Sequence, residues 1–276
     1  MNNKYSIKRK LGSGSFGDVY LVIDKITKLD YAMKVEYLNA SKPQLLSEAK
    51  IYQNLTGSIG FPKLQGFEKT NEAYLLVTEV IGPNLEEIFD KKNRQFSLEI
   101  ISNLFIQMIE RIQTFHEKGY IHRDLKPENF LFKNGTLYLI DYGLSKKYKI
   151  NNQHIPFSDG HSLIGTPRYA SKFTHIGYEG SRRDDLESIG YIIVYLIKGN
   201  LPWQGIVSKN KKEKYAKILK VKQDTDITKF CKEPSYIKKY FEYINSLYFE
   251  DTPNYSYIKT LINNQQIVDL DKEFDI

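Results

Sequence analysis

Up to about residue 80 the apolar residues of this chain alternate; beyond it they recur every three or four positions. This change of period constrains the fold more than any other feature. Alternation lines one face of a strand, whereas the longer spacing lines one stripe of a helix. The alternating stretch holds Tyr5, Ile7 and Leu11, then Val19, Leu21 and Ile23, then Tyr31, Met33 and Val35. It reads as strands with one covered face. One helix interrupts it, entered at Pro43, with Leu45, Ala49 and Tyr52 on one stripe. Tyr74 to Ile81 closes the region as a last strand, ended by Gly82-Pro83.

Helix signals dominate the rest. Asn84 with Glu87 has the spacing of a capping box. Ser97 caps a long segment with apolar positions at 101, 104, 105, 108, 112 and 115, which Gly119 stops. Leu186 to Ile197 is apolar on nearly every face and reads as a central buried helix closed by Gly199. The expectation is an α+β chain with a small, mainly β lobe over residues 1–80 and a larger, mainly helical lobe over 81–276. Its cleft is the expected ligand site.

Composition narrows the function classes. Charged residues make up 26% and apolar residues 41% of 276, which excludes a disordered chain. The longest apolar run, Ile189 to Ile197, is far short of the roughly 20 residues that span a bilayer, so no membrane insertion is expected. No signal-peptide core follows Met1, and the single Cys231 excludes an internal disulfide. An intracellular location is expected, with cytoplasm and nucleus both open. The net charge of +7 suits either anionic partners or a solubilising surface. Basic clusters lie at Lys146-Lys147-Tyr148-Lys149, at Arg182-Arg183, and at Lys209 with Lys211, Lys212 and Lys214. No aromatic–basic module for DNA or RNA is visible, so nucleic acid is not an expected partner. A monomer is the default.

Three segments carry chemistry. Gly12-Ser13-Gly14-Ser15-Phe16-Gly17 lies between two alternating stretches, where a tight turn brings backbone N–H groups toward phosphate oxygens. A strand follows these glycines, whereas a dinucleotide fingerprint requires a helix there. Lys34 sits between apolar Met33 and Val35, and an inward-facing lysine needs a partner such as Glu48. Taken alone, an exposed edge-strand lysine is the safer reading. The decisive segment is His122-Arg123-Asp124-Leu125-Lys126-Pro127-Glu128-Asn129, followed by Asp141-Tyr142-Gly143. Phosphoryl transfer needs an acceptor for the attacking hydroxyl's proton, a cation for the moving group and oxygen ligands for magnesium. Asp124, Lys126, and Asn129 with Asp141 supply them in that order.

These segments resemble the protein-kinase set in its expected order. The resemblance extends to the casein kinase 1 family over about residues 5–262. It is carried by Phe130-Leu131, Gln153-His154-Ile155-Pro156, Arg168-Tyr169-Ala170-Ser171, Ser181 through Ser188, and Leu201-Pro202-Trp203-Gln204-Gly205. Gly82 through Glu86 and Asp251 through Tyr257 carry it too. It implies a two-lobed Ser/Thr protein kinase using ATP and Mg2+. The glycine loop with Leu11, Val19 and Ala32 would cover the nucleotide, Leu131 would floor the adenine, and Glu79 and Ile81 would offer backbone groups to it. Lys34, fixed by Glu48, would hold the α- and β-phosphates. Asp185 would brace the catalytic loop, and Lys126 implies Ser/Thr rather than Tyr acceptors. Substrates with an acidic or phosphorylated residue upstream are implied, read by Arg168 and Lys214 with Arg182 and Arg183 in the same lobe.

Several positions depart from that pattern. Tyr142 replaces the usual Phe, and Thr78 stands where the family carries a bulkier Met beside the adenine. Ser158 and His161 stand at basic positions of a second anion site. His116, His154 and His175 read as ordinary helix or loop histidines, and Trp203 as packing. No tail for autoinhibition is expected.

Overall fold

A computed structural model of the chain describes residues 4–14, 17–40, 43–262 and 268–275. Internal packing divides it into two compact units, Met1–Gly82 with Tyr138–Gly143, and Pro83–Leu137 with Leu144–Ile276. The sequence places a boundary at residue 80 and assigns residues 138–143 to the second part; their packing groups them with the first.

Among the described residues, the first unit is built on a five-stranded antiparallel sheet. Its strands are β1 (Tyr5–Gly14), β2 (Gly17–Asp24), β3 (Asp30–Tyr37), β4 (Leu64–Lys69) and β5 (Ala73–Glu79), in spatial order β1-β2-β3-β5-β4. Alternation sends Tyr5, Val22, Met33, Val35, Ala73, Leu75 and Val77 into one core cluster. In β3 the opposite parity carries Ala32, Lys34 and Glu36. Helix α1 (Leu45–Leu55) packs against β4 and β5. Its N-cap residue, Gln44, makes no side-chain capping bond. Buried Glu36 supplies the cap, its two carboxylate oxygens accepting from the N–H groups of Gln44 (2.8 Å) and Leu45 (3.1 Å). An acidic group at a helix start satisfies donors the helix cannot and complements its dipole.

The second unit is mainly helical. Helix α2 (Leu85–Lys91) begins with the reciprocal Asn84–Glu87 capping box. In α3 (Leu98–Glu117), Ser97 accepts from the Ile100 N–H at the start, and Gly119 follows the end at φ +86°. Next come β6 (Tyr120–Ile121), β7 (Phe130–Lys133) and β8 (Thr136–Leu139), along which the chain passes into the first unit. Helix α4 (Lys172–His175) precedes α5 (Arg182–Lys198), which is buried along most of its length and ends at left-handed Gly199. Gly190 lets α5 approach its neighbour closely; a Cβ there would lie 2.8 Å from the Phe241 ring. The remaining helices are α6 (Lys211–Asp224), α7 (Ile227–Phe230), α8 (Tyr236–Asn245), α9 (Tyr255–Ile262) and α10 (Leu270–Phe274). No helix among the described residues is long and apolar enough to cross a membrane.

Candidate active site

Within the first unit, β1 and β2 bring the glycine segment together as a hairpin. Gly12 pairs with Val19, Ser13 with Asp18 and Gly14 with Gly17, while Ser15 and Phe16 lie outside the described residues. The Ser13 hydroxyl donates to Asp18 at 2.7 Å. Gly17 holds φ +123°, and a Cβ on it would fall 2.1 Å from the Val35 carbonyl oxygen. No other residue fits that approach. Leu11 is exposed on β1, and Val19 lies opposite Lys34.

Lys34 projects from β3 and donates to Glu48 Oε2 on α1 (2.7 Å) and to Asp141 Oδ1 (3.0 Å). Burial works against this ammonium, yet the two carboxylates outweigh it and hold the Lys34 pKa above its ordinary value. Lys34 is therefore charged at every physiological pH. Asp141 adopts φ +63°, a conformation that costs a non-glycine residue about 1–3 kcal/mol and persists only where surroundings enforce it. Tyr142 is buried beside Tyr52 with ring centroids 4.5 Å apart. Its hydroxyl donates to the Leu139 carbonyl at 2.6 Å, which is the partner a tyrosine in an apolar slot requires. Thr78 is buried on β5 opposite Ala32. The Glu79 N–H is committed to the Lys63 carbonyl at 3.0 Å, and Ile81 follows just beyond the strand.

Within the second unit, residues 120–131 run from β6 through a loop and a 3-10 turn at Pro127–Asn129 into β7. Asp124 is buried, its Oδ1 accepting from the Thr166 hydroxyl (2.7 Å) and its Oδ2 from Lys126 Nζ (3.0 Å). Asn129 donates its amide to the Asp124 carbonyl at 2.9 Å, which leaves Oδ1 as its remaining donor atom for a ligand. Leu131 bridges to Asn84. Asp185, near the start of α5, holds the loop from beneath. Its Oδ2 accepts from the His122 N–H (2.7 Å) and its Oδ1 from the Arg123 N–H (2.9 Å). His116 Nε2 lies 2.9 Å from the same Oδ2, and His116 Nδ1 lies 2.6 Å from the Tyr255 hydroxyl. Arg123 is held at φ +69° between these contacts. His116 is thus a structural bridge, a role with no local signal in the sequence.

The basic residues divide. Lys214 is exposed on the first turn of α6, and Arg168 is half-buried with its guanidinium 5.7 Å from the Tyr169 ring and 5.9 Å from that of Tyr195. No described contact joins the two. Arg182 and Arg183 turn inward, Arg182 buried and Arg183 half-buried. Arg182 is buried, donates to the Glu250 carbonyl (2.6 Å) and covers Tyr148, while Arg183 donates to the Leu247 carbonyl (2.9 Å) and covers Phe173. A guanidinium so committed is not available to a substrate, which corrects the expectation that this pair reads upstream charge. Around His161, the carboxylate of Glu179 takes Lys146 at 2.6 Å and faces His161 and Arg123 at 3.7 and 3.9 Å. Trp203, read as packing, also donates from Nε1 to the Arg168 carbonyl at 2.7 Å.

Each half of this arrangement has parts that phosphoryl transfer uses: a cation clamped by carboxylates, and a carboxylate beside a second cation and a hydroxyl. The family model for the protein kinase domain matches residues 5–264. The chain belongs to that family. Its α+β architecture is the two-lobed protein-kinase fold, and its class of activity is phosphotransfer with ATP as the donor and proteins as acceptors.

Proposed function

We propose that this chain is a serine/threonine kinase of the casein kinase 1 type. It transfers the γ-phosphoryl group of ATP to Ser or Thr of proteins bearing acidic or phosphorylated residues upstream. The observation that carries the reading is the carboxylate of Asp124, oriented through one oxygen by Thr166 and through the other by Lys126. A base fixed this way keeps a lone pair on each oxygen for an incoming hydroxyl.

In this reading Asp124 accepts the hydroxyl proton as the new P–O bond forms and the bond to ADP breaks. Lys126 neutralises charge on the moving group and sets the preference for Ser and Thr. Lys34, clamped by Glu48 and Asp141, takes the α- and β-phosphates. The first unit serves as the nucleotide-binding lobe, with the glycine hairpin, Leu11, Val19 and Ala32 over the nucleotide. Thr78, Glu79 and Ile81 line the base, and the second unit, which carries Leu131, serves as the catalytic and substrate-binding lobe. Asn129 and Asp141 offer the hard oxygen donors that Mg2+ selects, and the tethered amide nitrogen of Asn129 turns its oxygen to that use. Mg2+ when bound supplies charge neutralisation on the phosphates. Arg168 and Lys214 read the upstream anion. The enzyme acts as an intracellular monomer.

Phosphate transfer to casein tests the first claim. Asp124→Asn lowers kcat by about 100-fold or more while nucleotide binding persists; transfer that is absent in the native chain, or untouched by this change, overturns it. Arg168→Ala with Lys214→Ala lowers kcat/KM for a phosphorylated peptide more than for its plain counterpart. An equal loss for both peptides removes the reader role.

A further inference from the structure

Helix α6 is rich in lysine and buries only two side chains, Ile218 and, one turn on, Lys222. Lys222 is 3% exposed and makes no ion pair among the described residues. Its Nζ instead donates to the carbonyls of Pro167 (2.8 Å) and Ala170 (2.5 Å) and lies 4.9 Å from the Tyr191 ring and 5.2 Å from that of Trp203. Burying an amine is costly, and an apolar side chain would fill the same space more cheaply. The amine does what no apolar side chain can. It binds two carbonyls of a loop segment that has no strand or helix to satisfy them.

The loop so bound is residues 165–171. Trp203 Nε1 takes the carbonyl of Arg168, so side chains from elsewhere in the unit hold the carbonyls at 167, 168 and 170. At the other end of the segment Gly165, at φ +85°, presses so close to the Arg123 carbonyl that a Cβ would fall 2.3 Å from its oxygen. Thr166 then donates to Asp124. A continuous chain of contacts joins Lys222 to the oriented carboxylate.

We propose that Lys222 is a positioning residue for the protein substrate: it seats segment 165–171 and, through Thr166, aims Asp124 at the acceptor hydroxyl. The proposal rests on the kinase reading of Asp124 given above. It is a role beyond the catalytic loop itself, exercised from a helix that holds no catalytic or nucleotide-binding residue.

Lys222→Met keeps the length of the side chain and removes its donors. The expected result is a fall of about tenfold or more in kcat/KM for a peptide substrate, toward the about 100-fold that a misplacement of about 1 Å of reacting groups costs in rate. ATP affinity stays unchanged. Amide hydrogen exchange speeds up across 165–171 while α3 and α5 keep their protection, and Lys222→Arg, which restores donors, recovers part of the lost peptide kcat/KM. If the Met variant does not fold, Trp203→Phe removes the Arg168 bond alone and gives a smaller fall in peptide kcat/KM with the same unchanged ATP affinity. Unaltered peptide kinetics and exchange overturn the proposal. So does a joint fall of peptide kinetics, ATP affinity and protection in α3 and α5. A native chain that transfers no phosphate sinks the kinase reading instead, and the exchange comparison still decides whether Lys222 seats the segment.

Discussion

Replacing Asp185 with alanine removes the acceptor of three buried groups at once. The carboxylate takes the N–H of His122 at 2.7 Å, the N–H of Arg123 at 2.9 Å and His116 Nε2 at 2.9 Å, and the residue is 2% exposed. A buried donor stripped of its acceptor costs about 1–3 kcal/mol, so the loss of three costs at least about 3 kcal/mol. Asparagine is the graded control. Its amide oxygen can replace one carboxylate oxygen, keeping His122 and His116 while its NH2 opposes the Arg123 N–H, for a cost of about 1–3 kcal/mol. Both changes free Arg123 from its left-handed backbone and so displace Asp124, its neighbour; kcat falls even where the protein stays folded. Burial alone would raise the Asp185 pKa, but the hydrogen bond and charge of His116 hold it below the usual carboxylate range. Its contribution is thus complete above about pH 4 and fades as pH falls through the lowered value. Urea unfolding followed by the buried Trp203 gives the stabilities, and phosphate transfer below the unfolding midpoint gives the rates. An alanine variant within about 1 kcal/mol of the native protein, or one with native kcat, refutes the bracing argument.

Three further outcomes are expected. Gly17→Ala drives a methyl into the Val35 carbonyl, 2.1 Å from the new Cβ, and forces β2 and β3 apart at a cost of about 1–3 kcal/mol; an unchanged melting temperature and ATP KM contradict this. Thr78→Met fills space beside Ala32 and weakens inhibitors that reach behind the adenine, measured as a rise in their inhibition constants, so equal potency against both proteins refutes the placement of Thr78 beside the base. Burial draws the Lys222 pKa down to about 7, against the pull of Glu187, whereas the unfolded lysine titrates near 10.5. Between these values the unfolded chain holds a proton that the folded one lacks. Stability relative to Lys222→Met therefore rises with pH by up to about 1.4 kcal/mol per unit, and a flat difference across pH 7.5–9.5 in chemical denaturation disproves it.

Local signals made much of this fold readable. Alternation marks β1, β2, β3 and β5, and the stops at Gly119 and Gly199 and the starts at Asn84 and Ser97 need only neighbouring residues. β4 escapes because a register shift between Leu64 and Gly66 breaks its alternation. The start of α1 escapes in another way, since its cap, Glu36, comes from a strand. The ordered set from Gly12 to Asp141 made the candidate site legible, and Lys34 stood out as a lysine between apolar neighbours. What no pattern could reveal was long-range: His116 meeting Asp185 and Tyr255, and Arg182 and Arg183 bound inward to distant carbonyls. A pair of adjacent arginines looks the same in sequence whether solvated or buried. Lys222 illustrates the same limit, because one lysine among many in α6 carries no mark of its burial.

Lys34 and Glu36 stand two residues apart on β3 and both fasten the opening turn of α1, Glu36 at its first N–H groups and Lys34 at Glu48. A single fastening permits a rod to pivot; two on the same strand do not. The opening turn of the helix therefore travels with the strand, and the Lys34–Glu48 ion pair is complete as soon as the unit folds.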